Sequence, residues 1–193
     1  MRLSGVRRLL LTSAVAAVAA VAVGMLLDWR KSVIQAEKNR LSLIPQQFAV
    51  RKIMYAEEKC SGVGLSGGDN CTGVFVYELP QATTRAIQQH GLAYFRGFGQ
   101  TSVNKQFGPF GEWRTTPIDP GLEWVWVQHS VPLPPPTLSG FLGHESFSID
   151  VDSKIERDID DSIISPGSFF AYDRYGVMIV MPARNKMAYA YRN

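Results

Sequence analysis

The sequence predicts an α+β fold: a mainly antiparallel sheet with two short helices, preceded by one amino-terminal transmembrane helix. Three observations carry this expectation. Leu9 to Leu27 is one uncharged, mainly apolar stretch, LLLTSAVAAVAAVAVGMLL. The carboxy-terminal end holds three short runs of β-branched and aromatic residues separated by turn residues. Seventeen glycines and eleven prolines punctuate the chain, which implies many turns.

Nineteen helical residues rising ~1.5 Å each reach roughly 28 Å, close to the ~30 Å hydrocarbon core of a bilayer. The segment reads either as an anchor or as a signal peptide. Ala17-Val18-Ala19 and Ala20-Val21-Ala22 have the small-residue spacing of a cleavage site. Apolarity nevertheless continues past both through Val23, Met25, Leu26 and Leu27, which favours an uncleaved anchor. Arg7-Arg8 before Leu9 loosely resembles a twin-arginine export signal, although paired arginines there also serve as ordinary topogenic charge.

The flanking charges are nearly balanced, with Arg2, Arg7 and Arg8 before the segment and Arg30, Lys31, Lys38 and Arg40 after it. Orientation therefore rests on the cysteines. Cys60 and Cys71 are the two in the chain. A disulfide between them closes a short loop, worth on the order of 3 kcal/mol in the chain-entropy account, and persists in an oxidising compartment. The expected organisation is a cytoplasmic n-region (1–8), a transmembrane anchor (9–27), a juxtamembrane stalk (28–45) and an extracytoplasmic α+β domain (46–193). The expected location is the cell membrane, with a secreted or periplasmic domain as the alternative if the leader is cleaved. Ala16, Ala20 and Gly24 share one helix face, a small-residue spacing that permits a homodimer through the anchor.

Residues 29–43 are polar and charged and extend the helix as a stalk that Pro45 stops. Val50 to Glu58 reads as a strand, residues 60–73 as a Gly-rich loop, and Val74 to Tyr77 as a buried strand. A helix follows over 80–90, with Pro80 in its first turn, Ala82, Ala86 and Ile87 on its inner face and Gly91 just beyond its end. Leu92 to Phe95 reads as the next strand, and 96–120 as a long ordered loop with short strands. Leu122 to His129 alternates as a strand, and 132–136 is an extended proline run.

Ser153 and Glu156 form a capping-box pattern ahead of Ile155, Ile159 and Ile163, predicting an amphipathic helix that ends before Pro166-Gly167. The chain finishes as a meander over 168–172, 177–181 and 186–192, with turns at 173–176 and 183–185. Val177, Ile179 and Met181 alternate with Met178 and Val180, so the middle strand is apolar on both faces. That pattern belongs inside a sheet covered on both sides.

Beyond the leader, seventeen basic residues face sixteen acidic ones, which leaves no basic field for nucleic acid. Gly62 to Gly67 spells G-x-G-x-x-G, but it lies between the cysteines and leads into a strand rather than a helix, the wrong setting for dinucleotide phosphates. His90, His129 and His144 lie in no ligand spacing, and no cysteine pair has zinc spacing. His90 is placed to serve a helix end. His144 and Glu145, with His129, are the best acid/base candidates, although neighbouring residues of a strand face opposite ways. No serine lies in a G-x-S-x-G elbow.

The acidic group Asp150, Asp152, Glu156, Asp158, Asp160 and Asp161 fails the EF-hand order and reads as a solvated helix face. Asn70-Cys71-Thr72 fits a glycosylation acceptor only outside a disulfide and in a secretory host. Trp113, Trp124 and Trp126 are the candidates for stacking on a ligand, against an ordinary role in the core. Taken together, the residues imply no metal and no cofactor. They point to a single-pass protein whose outer domain binds a protein partner of the envelope or secretion apparatus, without catalysis. The alternatives are an exported enzyme acting on envelope material and a carbohydrate-binding module.

Overall fold

The structure, a computed structural model, describes residues 3–61, 70–98, 110–119, 136–143 and 149–192, with the side chains of 3–20, 61 and 70 outside the description. The chain forms two compact units, 1–40 and 41–193.

The first unit is almost entirely helix. Helix α1 runs Leu3–Leu41 and carries Lys38 and Arg40 in its last turn, where cations complement the helix dipole. The Gln35 amide donates to Asn39 Oδ1 at 2.8 Å, and the Ser32 hydroxyl to the Asp28 carbonyl at 3.0 Å. Among the described residues no helix is long and apolar enough to cross a membrane. Pro45 opens a 3-10 turn, Gln46–Phe48, closed by Ala49 in the left-handed region at φ 53°.

The second unit is an α+β fold around a six-stranded antiparallel sheet. The strands are β1 (Ile53–Ser61), β2 (Asn70–Glu78), β3 (Arg114–Thr115), β4 (Phe169–Tyr172), β5 (Gly176–Met181) and β6 (Lys186–Arg192). Their order across the sheet is β1-β2-β6-β5-β4-β3, so the last strand of the chain is inserted between β2 and β5. Helices α2 (Gln81–His90), α3 (Leu138–Leu142) and α4 (Ser153–Ile164) complete the unit.

Alternation along the strands builds a core on each face. Phe75, Tyr77, Phe169, Met178, Val180, Met187, Tyr189 and Tyr191 pack with Phe48, Ile87, Phe95, Phe98, Phe110 and Trp113. On the opposite face Val74, Val76, Phe170, Val177, Ile179, Ala188 and Ala190 pack with Leu138, Phe141, Ile159 and Ile163 of α3 and α4. The expectation for β5 holds: it lies inside the sheet, and every residue from Gly176 to Met181 is buried.

Several local expectations are corrected. Residues 92–95 are not a strand, because Gly91 at φ 54° turns the end of α2 into a 3-10 helix, Gly91–Phe95. That winding delivers Phe95 to the core, stacked 4.3 Å from the Trp113 ring. Pro80 is the N-cap of α2 rather than a first-turn residue, and the helix buries Thr83, Thr84 and Ile87 while Ala82 is exposed. The rotation brings the Thr83 hydroxyl onto the Phe48 carbonyl at 3.1 Å.

No Ser153–Glu156 capping box forms. The N-cap of α4 is Asp152, whose Oδ1 accepts from the Lys154 and Ile155 amides at 2.8 and 3.2 Å. An ionised carboxylate at a helix start satisfies two orphan donors and complements the dipole, which a hydroxyl one residue later does not match. The first strand begins at Ile53 rather than Val50, and the third helix, α3, has too few residues to show helical periodicity. It depends on α4, because Asp160 Oδ1 accepts the Leu138 amide at 2.6 Å. The 122–129 strand and the proline run up to 135 lie outside the described residues.

The acidic residues of α4 have structural partners rather than a common ligand. Asp158 accepts from Lys186 Nζ at 2.7 Å and from Arg184 Nη1 at 3.1 Å, which ties α4 to the corner before β6. The Lys186 hydrogen bond, against a partial desolvation cost, holds the Asp158 carboxyl below its usual range. A lowered folded-state value means that the stabilisation is present above the ordinary carboxylate range and is lost as pH falls through the lowered value. Asp158→Asn is therefore expected to cost about 1 kcal/mol at pH 7. Urea midpoints should show that difference shrinking as the pH is taken below the carboxylate range.

Gly176 sits against Tyr189 and the main chain of β6. A Cβ there would lie 2.6 Å from the Ala190 carbonyl oxygen and 2.8 Å from the Tyr189 ring. The backbone atom cannot swing away, so Gly176→Ala is expected to lower stability by about 2 kcal/mol, within the range for overpacked sites. Thermal unfolding against wild type checks it.

Candidate functional site

The region with the most unusual local chemistry is the first hairpin and the tyrosine row behind it. β1 and β2 pair in register from Tyr55↔Val76 to Ser61↔Asn70, with a bulge at Met54 between Ile53 and Tyr55. Cys60 and Cys71 do not belong to a loop, as the glycine content suggests. They face one another across the two strands and are joined by a disulfide, with Cα atoms 4.1 Å apart. That short separation marks a pair that does not exchange ladder hydrogen bonds. The G-x-G-x-x-G run is the 62–67 stretch beyond the bridge and lies outside the described residues.

Behind the hairpin, β6 carries Tyr189 and Tyr191 on one face, their rings stacked 5.7 Å apart. Tyr191 hydrogen-bonds Glu58 of β1. Its ring lies against Gly73 of β2, where a Cβ would approach it to 2.7 Å. The Tyr189 hydroxyl donates to Asp173 Oδ2 at 2.6 Å. Asp173 Oδ1 accepts from the Tyr175 and Gly176 amides at 2.9 and 2.6 Å, closing the β4–β5 turn. Burial pushes the Asp173 carboxyl up, opposed by those three donors. Burial, and then the Asp173 charge, push the Tyr189 phenol well up. A phenol held so far above neutrality neither gives up its proton nor acts as a base near pH 7, so the pair is a hydrogen-bonded anchor for the turn.

Beside the start of β1 lies an open cavity of about 360 Å³ lined by Ala49, Arg51, Lys52, Glu78 and Pro80. Lys52 and Glu78 bridge it with an ion pair of 3.2 Å. Its wall is mixed in charge and mostly exposed, so it suits a polar protein segment better than a buried small molecule.

Of the candidate stacking residues, Trp113 is 8 % exposed and lies among Phe48, Phe95, Phe98 and Phe110, a core position. Its indole Nε1 is buried without a hydrogen-bond partner among the described residues. Trp124, Trp126, His129, His144 and Glu145 lie outside the described residues. His90 is the last residue of α2 and is exposed there. Among the described residues no group of three or more His, Cys, Asp or Glu could hold a metal ion. The Tyr189–Asp173 pair escapes sequence reasoning because its partners are 16 residues apart and meet only once β4, β5 and β6 form a meander. The signal within reach was the Asp173-to-Gly176 turn, in which an aspartate accepts from amides two and three residues on.

No family model, no characterised protein sequence and no solved structure matches this chain.

Removing the Tyr189 hydroxyl leaves Asp173 Oδ2 buried without its donor. Tyr189→Phe is expected to cost about 2 kcal/mol at pH 7, as for a hydrogen bond to a charged group. The loss should be smaller near pH 4, because a carboxyl with a raised value is increasingly protonated as the pH falls toward the ordinary carboxylate range. Denaturant unfolding of the variant and the wild type at both values reads the difference.

Proposed function

We propose that this is a single-pass membrane protein whose extracytoplasmic α+β domain binds an envelope or secretion partner, without catalysis. The observation that carries the reading is the Cys60–Cys71 disulfide. A bridge between partly exposed strands is maintained in an oxidising compartment and not in a reducing cytosol. A domain that reaches such a compartment needs a leader, and Leu9 to Leu27 supplies one inside the long helix α1. The unbroken apolarity beyond the small-residue sites supports retention as an anchor.

Two features support binding rather than chemistry. Three carboxylates partly withdrawn from water, Asp158, Asp160 and Asp173, are engaged by structural donors. The open, mixed-charge cavity at Arg51, Lys52 and Glu78 is the contact we assign to the protein partner.

The intact mass of the protein from native membranes, taken without reductant, tests this reading. The expected result is the full-length mass less two hydrogens, in the membrane fraction. A soluble species lacking about the first 20 residues, as signal-peptide lengths allow, would remove the anchor. Full length with both thiols free would remove the extracytoplasmic placement.

A further inference from the structure

We infer that strand β1 is a self-association edge, on which a second copy of this chain adds its own β1 antiparallel to form one continuous sheet. Among the described residues β1 is a terminal strand of the six-stranded sheet and pairs there with β2. Terminal strands present main-chain donors and acceptors to any strand that matches them.

The register of the first hairpin sets which residues face outward. Cys60 and Cys71 form a pair without ladder hydrogen bonds, and such pairs alternate with bonded ones along an antiparallel ladder. Ala56, opposite Phe75, is a pair of the same kind as Cys60. The main-chain N–H and C=O groups of Ala56 and Cys60 therefore turn away from β2. A second antiparallel β1 uses them by placing Ala56 of one copy opposite Cys60 of the other. The two-fold axis then passes between the two Glu58 residues, which lie opposite one another, each carboxylate engaged by Tyr191 of its own copy.

Charge selects this register over its neighbours. Glu57 and Lys59 share a face with Tyr55, which packs toward α4 and accepts from the Asp152 amide at 3.1 Å. In the Ala56-to-Cys60 register each Glu57 lies directly opposite Lys59 of the other copy, twice by symmetry. Shifting by two residues in one direction sets Glu57 against Glu57, and in the other Lys59 against Lys59. Opposite charges across a strand pair stabilise it and like charges oppose it. Two opposite-charge pairs thus flank the single Glu58–Glu58 pair at the axis, and the net attraction favours this register over those shifted by two, as an isologous two-fold interface requires. The bulge at Met54 ends the matching stretch, so pairing is confined to residues after it.

The test uses the full chain in detergent micelles, with the oligomeric state read by sedimentation over a concentration series. Wild type is expected to dimerise. Glu57→Lys and Lys59→Glu should each weaken the dimer roughly tenfold or more, since two attractive pairs become repulsive. Mixing these two variants should restore a heterodimer, because both facing pairs between positions 57 and 59 are again opposite in charge. Intact-mass detection of the disulfide in each variant verifies that the hairpin has formed. A monomeric wild type overturns the inference. So does a dimer that neither reversal weakens, which would place the contact elsewhere, for example along Ala16, Ala20 and Gly24 of α1. Failure of the mixture to re-form the heterodimer overturns it as well. None of these outcomes bears on the anchor or the disulfide, which the intact mass reads separately.

Discussion

The structure depends on the alternation along β6. Tyr189 and Tyr191 point to one face and Ala188 and Ala190 to the other, in a strand with neighbours on both sides. The tyrosines need room and find it over glycines, Gly73 in β2 and Gly176 in β5. The alanines leave a shallow surface, and α3 and α4 settle onto it through Leu138, Phe141, Ile159 and Ile163. Large side chains on one face and small ones on the other make the two layers unequal. An aromatic-rich layer of α2, loops and 3-10 turns covers the tyrosine side, and α3 and α4 cover the alanine side.

The polar groups follow from that arrangement. A tyrosine buried on a sheet face must place its hydroxyl somewhere, and the two on β6 reach opposite ways, Tyr189 to the β4–β5 turn and Tyr191 to β1. The central strand is thereby tied to both sides of the sheet by side chains as well as by its ladder. On the helical side, Asp158 and Asp160 do comparable work: one grips Lys186 at the start of β6, and the other accepts the first amide of α3, from Leu138. Each tie is modest on its own, yet together they set the position of every layer relative to β6.

Much of this was legible in the residues. The two-faced apolarity of Val177 to Met181 placed β5 inside a covered sheet, and the turns at Asp173 and Asn185 marked the meander. The paired cysteines implied the disulfide. What the residues did not display was long-range pairing. Strand order, with β6 inserted beside β2, leaves no local mark, because β6 would show the same alternation at an edge of this sheet. The hairpin strands ran further than expected, to Ser61 and back from Asn70, since Lys59, Asn70 and Gly73 are poor strand formers that the ladder and the bridge hold extended. Helix α2 turned by a residue or so because Thr83 and Thr84, not the alanines, face the layer containing Phe48. The site was less legible than the fold: of the three tryptophans proposed for stacking, Trp113 lies in the aromatic core, and the tyrosine–carboxylate contacts arise from residues with no sequence proximity.

The place of the bridge within the first hairpin has a mechanical meaning. Phe48 and then β1 follow α1, so tension applied at the amino terminus first draws on the Phe48 contact with the core and then strips β1 from β2 one hydrogen-bonded pair at a time. Stripping stops at Cys60, where the covalent link hands the load to Cys71 in β2. β2 lies between β1 and β6, so the force then meets the interior of the sheet instead of its margin. A chain pulled at its amino terminus thus yields a short run of slack and then stiffens, with the core strands unbroken.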